Sequence, residues 1–90
     1  MPGVATLAER IIREQELVIG PLAWREAEKV AGLKVASKKV SVSGSSKEVL
    51  ARLVGRYEGL FGPASVQVCR DAVKTLLPDT PAADVPDVLR

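Results

Sequence analysis

The chain has 90 residues, 47% of them apolar, with 13 basic and 11 acidic side chains and a net charge of +2. That length bounds it to one domain, residues 1–90, and a net charge this small does not by itself imply a nucleic-acid partner. With no histidine and a single cysteine, Cys69, the sequence excludes a Ser–His–Asp triad, a Cys–His pair, an internal disulfide and a cysteine-based zinc or iron–sulfur centre.

In chain order, Thr6-Leu7-Ala8-Glu9 reads as a capping box: the Thr6 hydroxyl accepts from the Glu9 N–H and the Glu9 carboxylate reaches back. Apolar residues recur at helical spacing at Leu7, Ala8, Ile11, Ile12, Val18 and Ile19, with Gln15 the one polar interruption. Gly20-Pro21 then breaks the helix. A residue before proline is disfavoured in the α region, while the fixed φ of proline suits the first position of a new helix. The chain restarts at Pro21 and runs to Ala31, with Gly32 as its C-terminal cap. Residues 6–31 are therefore predicted as a helical pair.

Valine and serine alternate over Val40-Ser41-Val42-Ser43, the period of a half-buried strand. Leu33 and Val35 supply a partner strand and Ser37-Lys38 the turn, which predicts a short hairpin within 33–43. A lone hairpin is marginal, so it must lie on the helices or add to a strand of another chain.

Ser45-Ser46-Lys47-Glu48 is a second capping box, and its helix carries an apolar face of Val49, Leu50, Leu53, Val54, Tyr57, Leu60 and Phe61. Gly62-Pro63 breaks it as Gly20-Pro21 broke the first. A fourth helix from Ala64 to Leu77 presents Val66, Cys69, Ala72, Val73, Leu76 and Leu77, and Pro78 stops it. Residues 45–77 form the second helical pair. In the tail, 79–90, Thr80-Pro81 reads as an N-cap and first-turn pair, and Val85, Val88 and Leu89 predict an arm docked on the body. Aligning the two Gly-Pro pairs matches Arg10 with Arg52, Ile11-Ile12 with Leu53-Val54, Glu16 with Glu58 and Val18-Ile19 with Leu60-Phe61. The expected fold is α+β and mostly helical: two helix–Gly-Pro–helix units flanking a short hairpin, in one small domain.

Chemistry is sparse. No phosphate-cradling glycine loop is present. Ser43-Gly44-Ser45-Ser46 before a helix is the best anion site, but such a segment is ordinarily a cap. Glu14 and Glu16, like Glu26 and Glu28, are two apart and do not share a helix face, so no carboxylate pair surrounds a cleft. A non-enzymatic protein without cofactor or metal is expected. No window approaches 18 unbroken apolar residues and no secretory leader opens the chain, so a soluble cytoplasmic protein without a membrane span is expected.

Aliphatic excess in a small chain points instead to surfaces covered by other macromolecules, first by a second copy. A self-associating interaction or regulatory module is the leading expectation, its interface drawn from Trp24, Val40, Val42, Tyr57, Phe61, Val88 and Leu89; any other protein partner is unknown. The alternative is a winged-helix-like nucleic-acid-binding protein. It would use the basic 34–56 segment through Lys38 and Lys39 at the hairpin tip and Lys47, Arg52 and Arg56 on the next helix.

Overall fold

A computed structural model describes residues 3–90. Helix α1 spans Val4–Ile19 and α2 Leu22–Glu28. Strands β1 (Leu33–Ala36) and β2 (Lys39–Val42) follow, then α3 (Ser46–Phe61) and α4 (Pro63–Val73). The tail coils through 3₁₀ turns at Leu77–Asp79, Ala82–Asp84 and Asp87–Leu89. The chain thus forms the predicted α+β, mostly helical domain of two helix–Gly-Pro–helix units around a hairpin.

The two units are pseudo-symmetric. Helix α1 buries Leu7, Ala8, Ile11, Ile12 and Gln15, and α3 buries Val49, Leu50, Leu53, Val54 and Tyr57. Those are the same positions counted back from Gly20 and Gly62. The joints also match. Gly20 lies at φ 73°, ψ −159° and Gly62 at φ 88°, ψ −177°, and each donates its N–H to the carbonyl four residues back, Glu16 or Glu58, at 2.8 Å. Each unit then reaches across to the other's restarted helix. Gln15 Nε2 donates to Ser65 O at 3.0 Å, and Tyr57 Oη donates to Ala23 O at 2.7 Å. Gln15 and Tyr57 are equivalent positions before the joint, and Ser65 and Ala23 are equivalent positions after it. A buried polar side chain costs stability unless it is bonded, so this reciprocal pair fixes how the units dock as well as holding them. Gln15, an interruption in the apolar stripe by sequence, is a structural partner of Cys69 too, donating to Sγ at 3.4 Å.

Five local expectations are corrected. Helix α2 ends at Glu28 with Lys29 as its C-cap, not at Ala31 before Gly32, and α4 ends at Val73, not Leu77. Helix α1 starts at Val4 rather than Thr6: Gly3 is the N-cap, its carbonyl accepts from the N–H of Thr6 and Leu7, and Thr6 stands exposed inside the first turn. At α3 the predicted cap does form, with the Ser45 hydroxyl accepting from Glu48 N–H at 3.4 Å, but the Glu48 carboxylate turns to Arg52, one helical turn on. The Thr80 hydroxyl does not cap the tail turn; it donates backward to Leu76 O at 2.8 Å, a carbonyl that also accepts from Asp79 N–H at 3.2 Å.

In the hairpin, Leu33 pairs with Val42 and Val35 with Val40 on the core side, while Lys34 pairs with Ser41 and Ala36 with Lys39 on the outer side. Its two-residue turn puts Ser37 at φ 51° and Lys38 at φ 62°. That left-handed backbone favours Asn-Gly, and a side chain there is strained by about 1–2 kcal/mol per residue. Ser37→Asn should therefore stabilise the protein by roughly 0.5–1 kcal/mol in urea unfolding. Lys38→Gly should return less, because Lys38 also binds Glu16 (Nζ–Oε2 3.2 Å) and lies over the Trp24 ring, 5.9 Å from its centroid.

Candidate interaction surface

Among the described residues, five large apolar side chains are exposed: Leu17 and Val18 (81% and 64%), Leu22, Leu60 and Phe61. All follow or immediately precede a Gly-Pro joint. The cross-unit bonds from Gln15 to Ser65 and from Tyr57 to Ala23 bring both joints to the same end of the molecule, so these residues share that end, with Leu17 on the outer flank of α1. Val18, Leu60 and Phe61 continue the apolar stripes of α1 and α3 and by spacing belong to the core. They are exposed all the same. Summed, they expose on the order of 400–500 Å², comparable to the largest apolar patch of an ordinary monomer, which is often functional.

The residues expected at an interface are mostly placed elsewhere. Tyr57 and Leu89 are sealed inside the chain, and Trp24 and Val40 are buried too. Each already spends its apolar surface within one molecule, a correction to their reading as contact residues. Val42 and Val88 are half-buried against the core, and the Val88 carbonyl accepts from Arg70 Nε at 2.8 Å. Phe61 alone of the seven is open. Strand pairing through β2 is blunted as well, because Val40 N–H, on its outer edge, donates to Glu9 Oε2 of α1 at 3.1 Å. Leu17, Val18, Leu22 and Leu60 were missed. The available signal was that they lie at or beyond the last turn before a break, where a stripe has no partner.

The basic segment is partly paired with acids. Arg56 donates through Nε to Glu26 Oε1 at 2.8 Å, and also through Nη2. Arg52 meets Glu48 and the Ala31 carbonyl, and Lys38 is held by Glu16. Among the described residues only Lys39 and Lys47 of the five lack an ion pair. The hairpin also precedes α3 and packs on α1 and α2, unlike a wing that follows a reading helix.

Glu26 is buried between Arg56 and Lys29, and the Arg56 guanidinium holds its carboxyl below the ordinary 4.5 against the opposing effect of burial, with Lys29 adding to the pull. The folded state therefore resists protonation more than the unfolded state. Stability from this group is complete above about pH 4.5 and is lost as pH falls through the lower folded value. Glu26→Gln should flatten the fall in melting temperature below that pH; an unchanged acid limb would rule out Glu26 as its source.

Glu16 is held low first by the Trp24 indole N–H and then by Lys38. That N–H is buried and has no hydrogen-bond partner within hydrogen-bond distance, whereas Lys38 Nζ meets Glu16 Oε2 at 3.2 Å. Burial pushes the Cys69 thiol up to about 11, only partly offset by Gln15. A thiol so protonated near neutral pH is a small core side chain rather than a nucleophile.

Among the described residues, no three histidine, cysteine, aspartate or glutamate side chains converge as a metal set would, and no helix is long and apolar enough to cross a membrane. No family model, curated protein or solved structure matches this chain.

Proposed function

We propose that the protein is a non-enzymatic interaction module that self-associates through the end bearing both Gly-Pro joints. The observation that carries this reading is the exposure beside the two joints of Val18, Leu22, Leu60 and Phe61, flanked by Leu17, the most exposed large apolar side chains among the described residues. The rim favours a second copy as the occupant. Arg13 and Glu14 line a recess with Leu17, and neither forms an ion pair within the chain among the described residues. A rim of both signs can pair with itself across a two-fold axis, whereas a rim of one sign repels its own copy. A standard interface buries about 800 Å² per partner, so the patch would form its apolar centre and this rim its margin. The protonated, buried thiol supports binding rather than catalysis, and a lone cysteine suits the reducing cytoplasm, where we place the protein.

Sedimentation equilibrium tests the reading. The chain should show twice its 9.6 kDa mass at high micromolar concentration, and Val18→Glu combined with Leu60→Glu should return it to the monomer mass with its circular dichroism unchanged. A parent that stays monomeric throughout sinks the proposal.

A further inference from the structure

A separate site lies where α4 meets the tail. Leu77, Pro78, Ala82 and Val85 floor an open trough of about 350 Å³, with Lys74 and Arg90 on its rim. Behind those cations a second recess of about 200 Å³ is walled by Leu77 and Leu89. We propose that the trough binds an aliphatic carboxylate, its chain along the floor and its charged end between Lys74 and Arg90.

Three features select that chemistry. The floor offers a ligand nothing polar: the Thr80 hydroxyl is committed to Leu76 O at 2.8 Å and its N–H to Leu77 O at 3.0 Å. A sugar or nucleotide would leave its hydroxyls unpaired there, at a cost that apolar contact does not recover. The rim carries two cations, with Asp71 the acid nearest to both, across the second recess. Lys74 has no ion pair among the described residues, and Arg90 Nη2 donates only to backbone, at Ala82 O (2.7 Å) and Val85 O (3.5 Å). No carboxylate lines the trough. Asp71, in the second recess, already accepts from Gln67 Nε2 at 2.9 Å. The volume suits a chain of about eight to ten carbons, at the small end of ligand pockets.

The test is a titration of ¹⁵N-labelled protein with decanoate below its micelle concentration, with decanol and decyltrimethylammonium as neutral and cationic counterparts. Decanoate should saturate with a dissociation constant of roughly 100 μM, with shifts confined to residues 74–90. Both counterparts should bind at least tenfold more weakly, as should decanoate to Lys74→Glu. Ala82→Phe, which fills the trough and leaves the cations in place, should abolish binding. The proposal is overturned by absence of saturation to millimolar decanoate, by decanol binding equally well, or by shifts at Val18 and Leu60 instead. The last result would mean that the amphiphile merely sits on the interaction surface; loss of self-association would leave this site untouched.

Discussion

Gly32→Ala should cost roughly 3–5 kcal/mol of unfolding free energy, a large part of what a domain of this size possesses. Two causes add. Gly32 sits at φ 87°, a left-handed conformation that strains an L side chain, and a Cβ there would lie 2.6 Å from Val49 Cγ2 and 2.8 Å from Ser43 O. The second clash is with backbone that cannot swing aside. Ser43 N–H donates to Gly32 O at 2.8 Å, so the same two residues close the open end of the hairpin. Relief would mean parting the hairpin from the start of α3, where Val49 is fully buried. Gly55→Ala and Gly59→Ala supply the contrast. Both are exposed in α3 and a Cβ at either meets nothing within 4 Å, so each should gain about 0.5–1 kcal/mol from helix propensity. Urea titrations of the three variants decide the matter, and a Gly32→Ala protein within 1 kcal/mol of the parent would contradict the account.

Gly20→Ala and Gly62→Ala should each cost about 1–3 kcal/mol, and by similar amounts. Neither meets an atom within 4 Å of a built Cβ, so the whole cost is conformational. Both combine positive φ with ψ near 180°, a region open essentially to glycine alone. Similar costs are expected because the joints match in dihedrals, in their 2.8 Å bonds to Glu16 and Glu58, and in the cross-unit bond beside each. The double variant should show coupling: the Gln15–Ser65 and Tyr57–Ala23 bonds join the units, so damage at one joint loosens the other's support. Strict additivity in a double-mutant cycle would mean that the joints act independently.

Local chemistry made much of the fold legible. Proline after glycine ends a helix and starts another wherever it falls, so both joints could be placed from Gly20-Pro21 and Gly62-Pro63. Alternation from Val40 to Ser43 announced a strand with one covered face, and Ser45 announced its cap. These are nearest-neighbour effects, carried by steric limits and hydrogen bonds within a few residues. Where local signals competed, the reading slipped. The turn anchored on Gly3 displaced Thr6 as a cap, and Thr80 bonded back to Leu76 instead of forward. Helix α4 also stopped at Val73 and not Leu77, as the chain tightened into turns before Pro78.

The candidate surface was less legible, because an apolar stripe says which residues prefer burial and not whether another element is present to bury them. Val18 and Leu60 carry the same signal as Ile12 and Val54, yet they are exposed, although Ile19, one residue beyond Val18, packs against the core. Charge was equally undetermined. Arg56 looked free for a polyanion until the packing of α2 against α3 placed Glu26 beside it. The sequence by itself determined the segments, their breaks and their covered faces, since those depend on bonds and clashes between near neighbours. Only the tertiary structure decided that Gln15 and Tyr57 answer each other across the units, that Tyr57 and Leu89 are interior, and that the joint end is left bare. Those outcomes depend on which distant surfaces meet, and that is set by the lengths and docking angles of whole helices.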